Sequence, residues 1–487
     1  MPIVAGVDTS TQSTTVELRD ADTGELLGSG RSAHSRTHPP VSEQDPREWW
    51  RALKLALDQA VSSAAVGRGD VAAISVSAQC HGLVMLNSAG EPLRAAKLWN
   101  DTTSAPQAER LTTEWGSDAW AHAVGSVPIA AFTITKLAWI SEHEPELLAD
   151  LTRVLLPHDY VTFRLTGRAV TDRSDASGTG YYSAHESRWR TDLLERFIGA
   201  RDWDRVLPTV LGPNEAAGTL STLAANDLGL RPDVIVGAGG GDQHLGAVGL
   251  GLTFGDVAYS LGTSGVVMTV CDTPVFDVSG EVTGVAGATG GYLPLACTLN
   301  STKVTDWAAS LLGVDVATLG EMALSTSDPE RPVFAAYLDG ERTPNRPDAR
   351  GVLAGLGTAT TREQFARSAF EGVLFGLARA HDRLRDLGAA ADGSVTVMGG
   401  GARSHAYRQI LADILDRPVN VRDAEESTAR GAAIQAIAVL RGETVADVAT
   451  ALAPAVTVTT EPNQLVSADI RAQYQRTASW TGADRGL

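Results

Sequence analysis

Apolar and polar positions alternate in blocks from the first residues onward. Residues 2–7 are a β-prone run, Asp8-Thr9-Ser10-Thr11-Gln12-Ser13 is polar, and residues 14–18 resume β-prone character, a pattern that predicts a hairpin. The pattern returns near mid-chain: residues 256–260 are β-prone, Gly262-Thr263-Ser264-Gly265 is the turn, and 266–270 continue. Two strand, hydroxyl-rich turn, strand units half a chain apart fit a duplicated architecture, or chance, since such hairpins are common. Residues 46–66 predict a helix with Trp49, Trp50, Leu53, Leu57 and Ala60 on one face. Residues 71–76 predict a strand ending in the polar turn 77–82. Helices are expected at 130–142, 192–197 and 220–228, and a short buried strand at 233–237 ahead of a glycine run. In the second half a long helix is expected at 362–387, stopped by Gly388, then a strand at 394–398 and helices at 405–415 and 429–440. Strands alternating with helices predict α/β lobes with mixed or parallel sheets. Residues 234–255 read as the inter-lobe region, and the polar tail from Glu461 as a final helix or a loose end.

Composition narrows the function. The 487 residues carry 58 acidic against 40 Lys and Arg, a net charge of -18, which disfavours nucleic acid as the main partner but permits one phosphorylated small ligand. No stretch of about 18 apolar residues calls for a membrane span, and Asp8 interrupts the first apolar run with no basic segment before it, unlike a secretory signal. Cys80, Cys271 and Cys297 form no C-x-x-C pair, which removes the usual zinc and redox spacings and fits a reducing compartment; the cytoplasm is expected. Only Lys54, Lys97, Lys136 and Lys303 occur, none after a glycine, so there is no Walker A loop. H-E-x-x-H and G-x-S-x-G are missing, and the glycine clusters at 237–241 and 399–401 do not have the G-x-G-x-x-G spacing.

Five places have residue types suited to chemistry. Asp8, at a strand end before hydroxyls and turn amides, suits a hydrated Mg²⁺ beside phosphate, or caps an ordinary turn. Gly262 and Thr263 suit a second phosphate clamp, or a plain hairpin. The run Gly237-Ala238-Gly239-Gly240-Gly241-Asp242-Gln243 costs chain entropy unless close approach is required. Asp242 there suits a general base, or a helix N-cap. Gln79-Cys80-His81-Gly82 follows a predicted strand; His81 suits a polar substrate or a structural role, and Cys80 reads as packing rather than as a nucleophile. Gly399-Gly400-Gly401 lets a flat purine approach bare backbone, or simply packs a strand against a helix.

Taken in order, these segments resemble the FGGY carbohydrate kinase family, most of all its xylulokinases, over essentially the whole chain. The resemblance is carried by Val7 to Thr11, Gln44-Asp45-Pro46-Arg47-Glu48-Trp49-Trp50, Gln79 to Gly82, and Leu98-Trp99-Asn100-Asp101. It continues through Asp159-Tyr160, Arg164 to Gly167, Ser174 to Thr179, Gly239 to Asp242, Ser260 to Gly265, Tyr337 to Pro344 and Gly399 to Ser404. It implies two lobes of ribonuclease H-like (actin, sugar kinase, Hsp70) α/β fold around a cleft: a sugar-binding lobe over 1–243 and a nucleotide-binding lobe over 244–487. It also implies ATP and Mg²⁺ as cofactors, and phosphoryl transfer to the O5 hydroxyl of D-xylulose. Asp242 becomes the base and Asp8 the Mg²⁺ support. Cys80, His81, Asp242 and Gln243 fall on the sugar; Thr11, Gln12, Gly262 and Thr263 on phosphates; Gly400 and Gly401 on the nucleoside. Its partners are small molecules, without nucleic acid or membrane, and family members often form homodimers. Ser10 stands where the family usually has Gly and Cys80 where it has Met. Gln243 stands where xylulokinases usually have Asn, and an Asp-Gln pair is similar to glycerol kinases. Rival readings are a same-fold kinase for ribulose, glycerol or another polyol, a non-catalytic nucleotide-binding module of actin-like type, and, more distantly, a metal hydrolase.

Overall fold

A computed structural model describes residues 2–424, 426–463, 466 and 468–480. A seven-stranded and a six-stranded sheet dominate it. The first contains β1 (Ile3–Thr9), β2 (Ser13–Asp20), β3 (Leu26–Ala33), β4 (Val71–Ala78), β5 (Ala216–Thr219) and β6 (Ile235–Gly237), with the short β7 (Gly240–Gly241) also beside β4. The second contains β8 (Val257–Leu261), β9 (Gly265–Thr269), β10 (Leu295–Thr298), β11 (Val395–Met398), β12 (Val419–Arg422) and β13 (Val456–Thr460). Their orders are β3-β2-β1-β4-β6-β5 and β10-β9-β8-β11-β12-β13. The strand senses match position by position: antiparallel across the first three strands, parallel across the next two pairings, antiparallel at the far edge. The duplication that the two hairpins hinted at is thus present in topology.

Nine helices matter for the site. They are α1 (Pro46–Ala64), α2 (Thr133–His143), α3 (Pro157–Thr166), α4 (Asp242–Gly249), α5 (Thr302–Leu312), α6 (Arg362–Asp386), α7 (His405–Leu415), α8 (Ser427–Arg441) and α9 (Ala468–Ser479). Helix α1 starts on the Asp45 N-cap with Pro46 in its first turn and buries Trp49, Trp50, Leu53, Leu57 and Ala60, the face its periodicity predicts. Helix α6 ends at Asp386, two residues before Gly388 with its positive φ. Helix α2 begins three residues later than expected, because Phe132 is extended; the expected 220–228 helix begins at Thr222, capped by Ser221. The tail forms α9, which buries Ile470 and Tyr474. Helices α3 and α5 were not read from sequence; α3 has little amphipathic contrast because it is buried on several sides. An additional core of Leu83, Met85, Trp120, Phe132, Leu137, Trp203 and neighbours packs the segment inserted between β4 and β5.

Helices α4 and α8 cross where both have glycine. A Cβ on Gly249 would sit 1.8 Å from the Ser427 carbonyl oxygen, and one on Gly431 the same distance from that of Leu245. Helix α8 also lies on the first sheet, where a Cβ on Gly6 would sit 2.0 Å from the Ala429 oxygen. Gln435 of α8 ties itself to the glycine run, accepting from Gly239 N at 2.8 Å and donating to Gly239 O at 3.0 Å. The second half of the chain is therefore seated on the strand that leads to Asp242.

Candidate active site

The parallel strands of each sheet end side by side, and loops leaving such carboxyl ends are where α/β sheets hold ligands. In the first sheet Asp8 lies opposite Ser77, Gly240 is also beside Ser77, and Gly241 beside Ala78. This register brings Asp8, the Gln79-Cys80-His81 turn and Asp242 to one edge. In the second sheet Ser260 pairs with Met398, so the Gly262–Gly265 turn and the Gly399–Gly401 turn emerge together.

Asp242 is the first residue of α4, where the helix N-terminus favours an anion. Its Oδ1 accepts from its neighbour's amide, Gln243 N, at 2.8 Å and from the Cys80 thiol at 3.3 Å. Burial raises its pKa above the ordinary carboxylate value, as a proton acceptor requires. Cys80 is buried, and burial with Asp175 and Asp242 nearby pushes its thiol well up, so it stays protonated and donates. The expectation that Cys80 only packs is corrected to this extent: it is no nucleophile, but its hydrogen bond orients the carboxylate. A Cβ on Gly241 would lie 2.4 Å from Cys80 Sγ, so the last glycine of the run is what lets the thiol in.

Asp8 is 7% exposed; Ser10 Oγ donates to its Oδ2 at 2.6 Å, and its Oδ1 is buried without a partner. Burial, reinforced by the charges of Asp242 and Glu426, pushes its pKa up to about 7. An orphaned carboxylate oxygen at a strand end beside a hydroxyl turn fits Mg²⁺, which keeps most of its waters and takes one or two carboxylates. Among the described residues no cluster of three or more His, Cys, Asp and Glu side chains is arranged to hold a metal.

His81 has a left-handed backbone, φ 64°, a conformation histidine tolerates better than most residues. Its Nδ1 lies 2.8 Å from the Gly178 carbonyl and its ring 5.0 Å from that of Phe132. A Cβ on Gly178 would meet the imidazole at 2.6 Å. Buried Lys136 on α2 donates to the His81 carbonyl at 2.9 Å, fixing the turn from behind. Gln243, next to Asp242, is half-buried.

The remaining sequence candidates divide between the two sheets. Thr11 Oγ1 donates to Gln79 Oε1 at 3.0 Å and accepts from Trp99 Nε1 at 2.9 Å, so the first turn is braced by two residues of the motifs that carry the family resemblance. Gln12 is exposed beside it. Gly262 and Thr263 form a turn whose carbonyls accept from Thr302 N at 3.0 Å and Ser301 N at 3.3 Å. Gly400 is exposed, and a Cβ there would meet nothing within 4 Å; one on Gly401 would meet Leu261 Cβ at 2.7 Å. Gly400 thus presents bare backbone to open space, and Gly401 is required by packing.

A buried ionic cluster lies behind the glycine run and was also missed. His158 Nε2 is 3.0, 3.4 and 3.5 Å from carboxylate oxygens of Asp159, Asp172 and Asp175. Burial alone would lower the His158 pKa, but Asp159 foremost, with Asp172 and Asp175, raises it well above its ordinary value, while burial raises Asp175 well above its own. A Cβ on Gly239 would come 2.6 Å from its Nδ1. Asp159 and Asp175 belong to motifs quoted above, but no sequence signal says that residues so far apart meet.

The chain matches the model of the N-terminal domain of the FGGY family of carbohydrate kinases over residues 3–249 and that of the C-terminal domain over residues 257–440. The chain belongs to that family. It is 44% identical over 449 residues to the xylulose kinase of Streptomyces coelicolor, covering 92% of this chain and 90% of the relative. It is 34% identical over 428 residues to the xylulose kinase of Escherichia coli, covering 86% of each. The crystal structure of xylulose kinase from Bifidobacterium adolescentis superposes with a TM-score of 0.88 at 37% identity, covering 98% of this chain and 99% of that one. This FGGY protein is thus a carbohydrate kinase of actin-like fold, and ATP is the phosphoryl donor expected of its family. Among the described residues no single helix is long and apolar enough to cross a membrane.

Proposed function

We propose that this kinase transfers the γ-phosphoryl group of ATP to the O5 hydroxyl of D-xylulose, giving D-xylulose 5-phosphate for xylose catabolism in the cytoplasm. The observation that carries the reading is the Asp242 carboxylate, raised in pKa and oriented at Oδ1 by Cys80 and the Gln243 amide, on the same sheet edge as His81. The similarity to xylulose kinases supports the choice of sugar.

In this reading the first lobe, residues 1–243, holds the sugar at His81, Asp242 and Gln243, and the second, 244–487, holds ATP. The Nδ1 of His81 faces a carbonyl and so has the proton, leaving Nε2 as an acceptor for a sugar hydroxyl. Gly262 and Thr263 offer backbone and hydroxyl to the phosphates, Thr11 and Gln12 line the opposing turn, and Gly400 and Gly401 admit the nucleoside. Asp8, with its unpartnered Oδ1, would hold Mg²⁺, and such an ion would supply charge neutralisation at the phosphates. Asp242 takes the hydroxyl proton as the oxygen attacks. Base catalysis of this kind is worth about 10²- to 10⁴-fold, so Asp242→Ala should lose that much kcat while keeping ATP affinity. Unchanged turnover in Asp242→Ala would overturn the assignment. One observation favours a second reading, a kinase for ribulose, glycerol or another polyol: Gln243 stands where xylulokinases usually have Asn.

A further inference from the structure

The four lysines are all engaged. Lys54 pairs with Asp227 at 2.9 Å, Lys97 with Glu43 and Asp101, and Lys303 with Asp339 at 2.8 Å; Lys136 is buried and donates to backbone carbonyls. Buried and half-buried arginines are mostly engaged too: Arg331 and Arg367 with Glu371, Arg379 with Glu281, Arg94 with Glu43 and Glu144. Arg342 is different. It is half-buried, and its guanidinium makes no hydrogen bond or ion pair among the described residues.

The loop that presents it is fixed from both sides. Glu341 is 3% exposed and spends Oε1 on Leu299 N at 2.6 Å and on Arg342 N at 2.8 Å, and Oε2 on Asn300 Nδ2 at 2.9 Å. Thr343 Oγ1 donates to the Cys297 carbonyl at 2.8 Å and to that of Glu281 at 3.1 Å. Leu299 and Asn300 directly follow β10, and the next two residues donate to the Gly262–Thr263 turn. Arg342 is therefore anchored beside the second phosphate turn, and its neighbouring carboxylate is committed elsewhere. Its charge bears on His81 of the first lobe and on Cys297, which also feels Asp242. The guanidinium's charge thus reaches His81, on the first sheet's edge, from a loop tied beside the second turn. A half-buried cation without a partner is unfavourable unless an anion completes it, and a guanidinium fork suits phosphate oxygens better than any other side chain.

We propose that Arg342 is a catalytic residue whose guanidinium binds the phosphoryl group in transit between ATP and the sugar. This rests on the kinase reading above. As the γ-phosphorus leaves the β–γ bridging oxygen, the electron pair of that bond stays on ADP. The new bond forms to the sugar oxygen, whose proton passes to Asp242. Arg342 makes no covalent bond and keeps its proton; it meets the charge on the equatorial oxygens.

The test uses the full-length protein with Arg342→Gln, Arg342→Lys and Arg342→Ala, checked for folding by thermal melting. Removing one preorganised donor of this type costs about 10²- to 10³-fold in kcat, and that loss is expected for Arg342→Gln. The sugar Kd by calorimetry should stay within about threefold, because the interaction is made in the transition state. Arg342→Lys should recover only part of the rate, and guanidinium chloride should rescue Arg342→Ala, which a merely structural arginine would not allow. Turnover of Arg342→Gln within about threefold of the parent protein would overturn the proposal, as would a loss confined to sugar Kd or an Arg342→Ala variant that folds but is not rescued. A parent protein that phosphorylates no sugar would instead overturn the kinase reading, so the two failures are separable.

Discussion

Burial, with the positive charges of Lys136 and Arg342, depresses the pKa of His81 from 6.5 to about 3. In the unfolded chain the imidazole takes a proton below about pH 6.5; in the folded chain it does so only near 3. Between those values the unfolded state binds more protons, so stability rises with pH through the window and is lost as pH falls from 6.5 toward 3. Urea midpoints measured from pH 4 to 7 should therefore slope more steeply in the parent protein than in His81→Asn. Equal slopes would mean that His81 is solvated rather than held neutral. Asp242 has the opposite displacement: its pKa is raised, so kcat/KM should fall as pH drops through a value above the ordinary carboxylate 3.8. A pH–rate profile with its acid limb at the ordinary value would contradict the environment described for Asp242. Asp242 and His81 were legible in the sequence because each stands in a short ordered motif. The Cys80 hydrogen bond, the His158 cluster and Arg342 were not, since each depends on residues brought together by the fold, from 14 positions apart for His158 and Asp172 to 162 for Cys80 and Asp242.

Among the elements, α4 and α8 depend most on small residues. With carbonyls 1.8 Å from where a Cβ would stand, Gly431→Ala must push the helices apart. Overpacking of this kind costs about 1–3 kcal/mol, measurable as a fall in urea midpoint, whereas Gly69→Ala, which would meet nothing within 4 Å, should change little. Gly400 tests the opposite situation. Its Cβ has open space in the free protein, so Gly400→Ala should leave stability unchanged. A bound nucleoside would compete for that space, and an added methyl in a ligand site is worth about 10- to 100-fold; the KM for ATP should rise by about that factor. Unaltered KM would move the nucleoside away from this turn. The strong periodic elements, α1, α6 and α7, were readable because one face of each is apolar. Helix α3 was not, because a helix buried on several sides loses the contrast that periodicity needs.

At the scale of the whole molecule, one sheet plan is used twice, and the two carboxyl-end edges divide the labour. The first brings together Asp8, His81 and Asp242; the second offers Gly262, Thr263 and Gly400. The hairpin repeat in the sequence carried part of this plan. The full strand order did not show in the sequence, because the strands that complete each sheet are separated by long insertions. In the proposed reading one edge takes the sugar and the other the nucleotide. The most direct measurement is ADP release with Mg-ATP across D-xylulose, D-ribulose, L-ribulose, L-xylulose, glycerol and no sugar. Release stimulated by D-xylulose above all others, with D-xylulose 5-phosphate as product, is the predicted result. Release stimulated by another polyol would contradict the sugar assignment and make Gln243 the better guide, and release that no sugar stimulates would contradict the kinase reading itself.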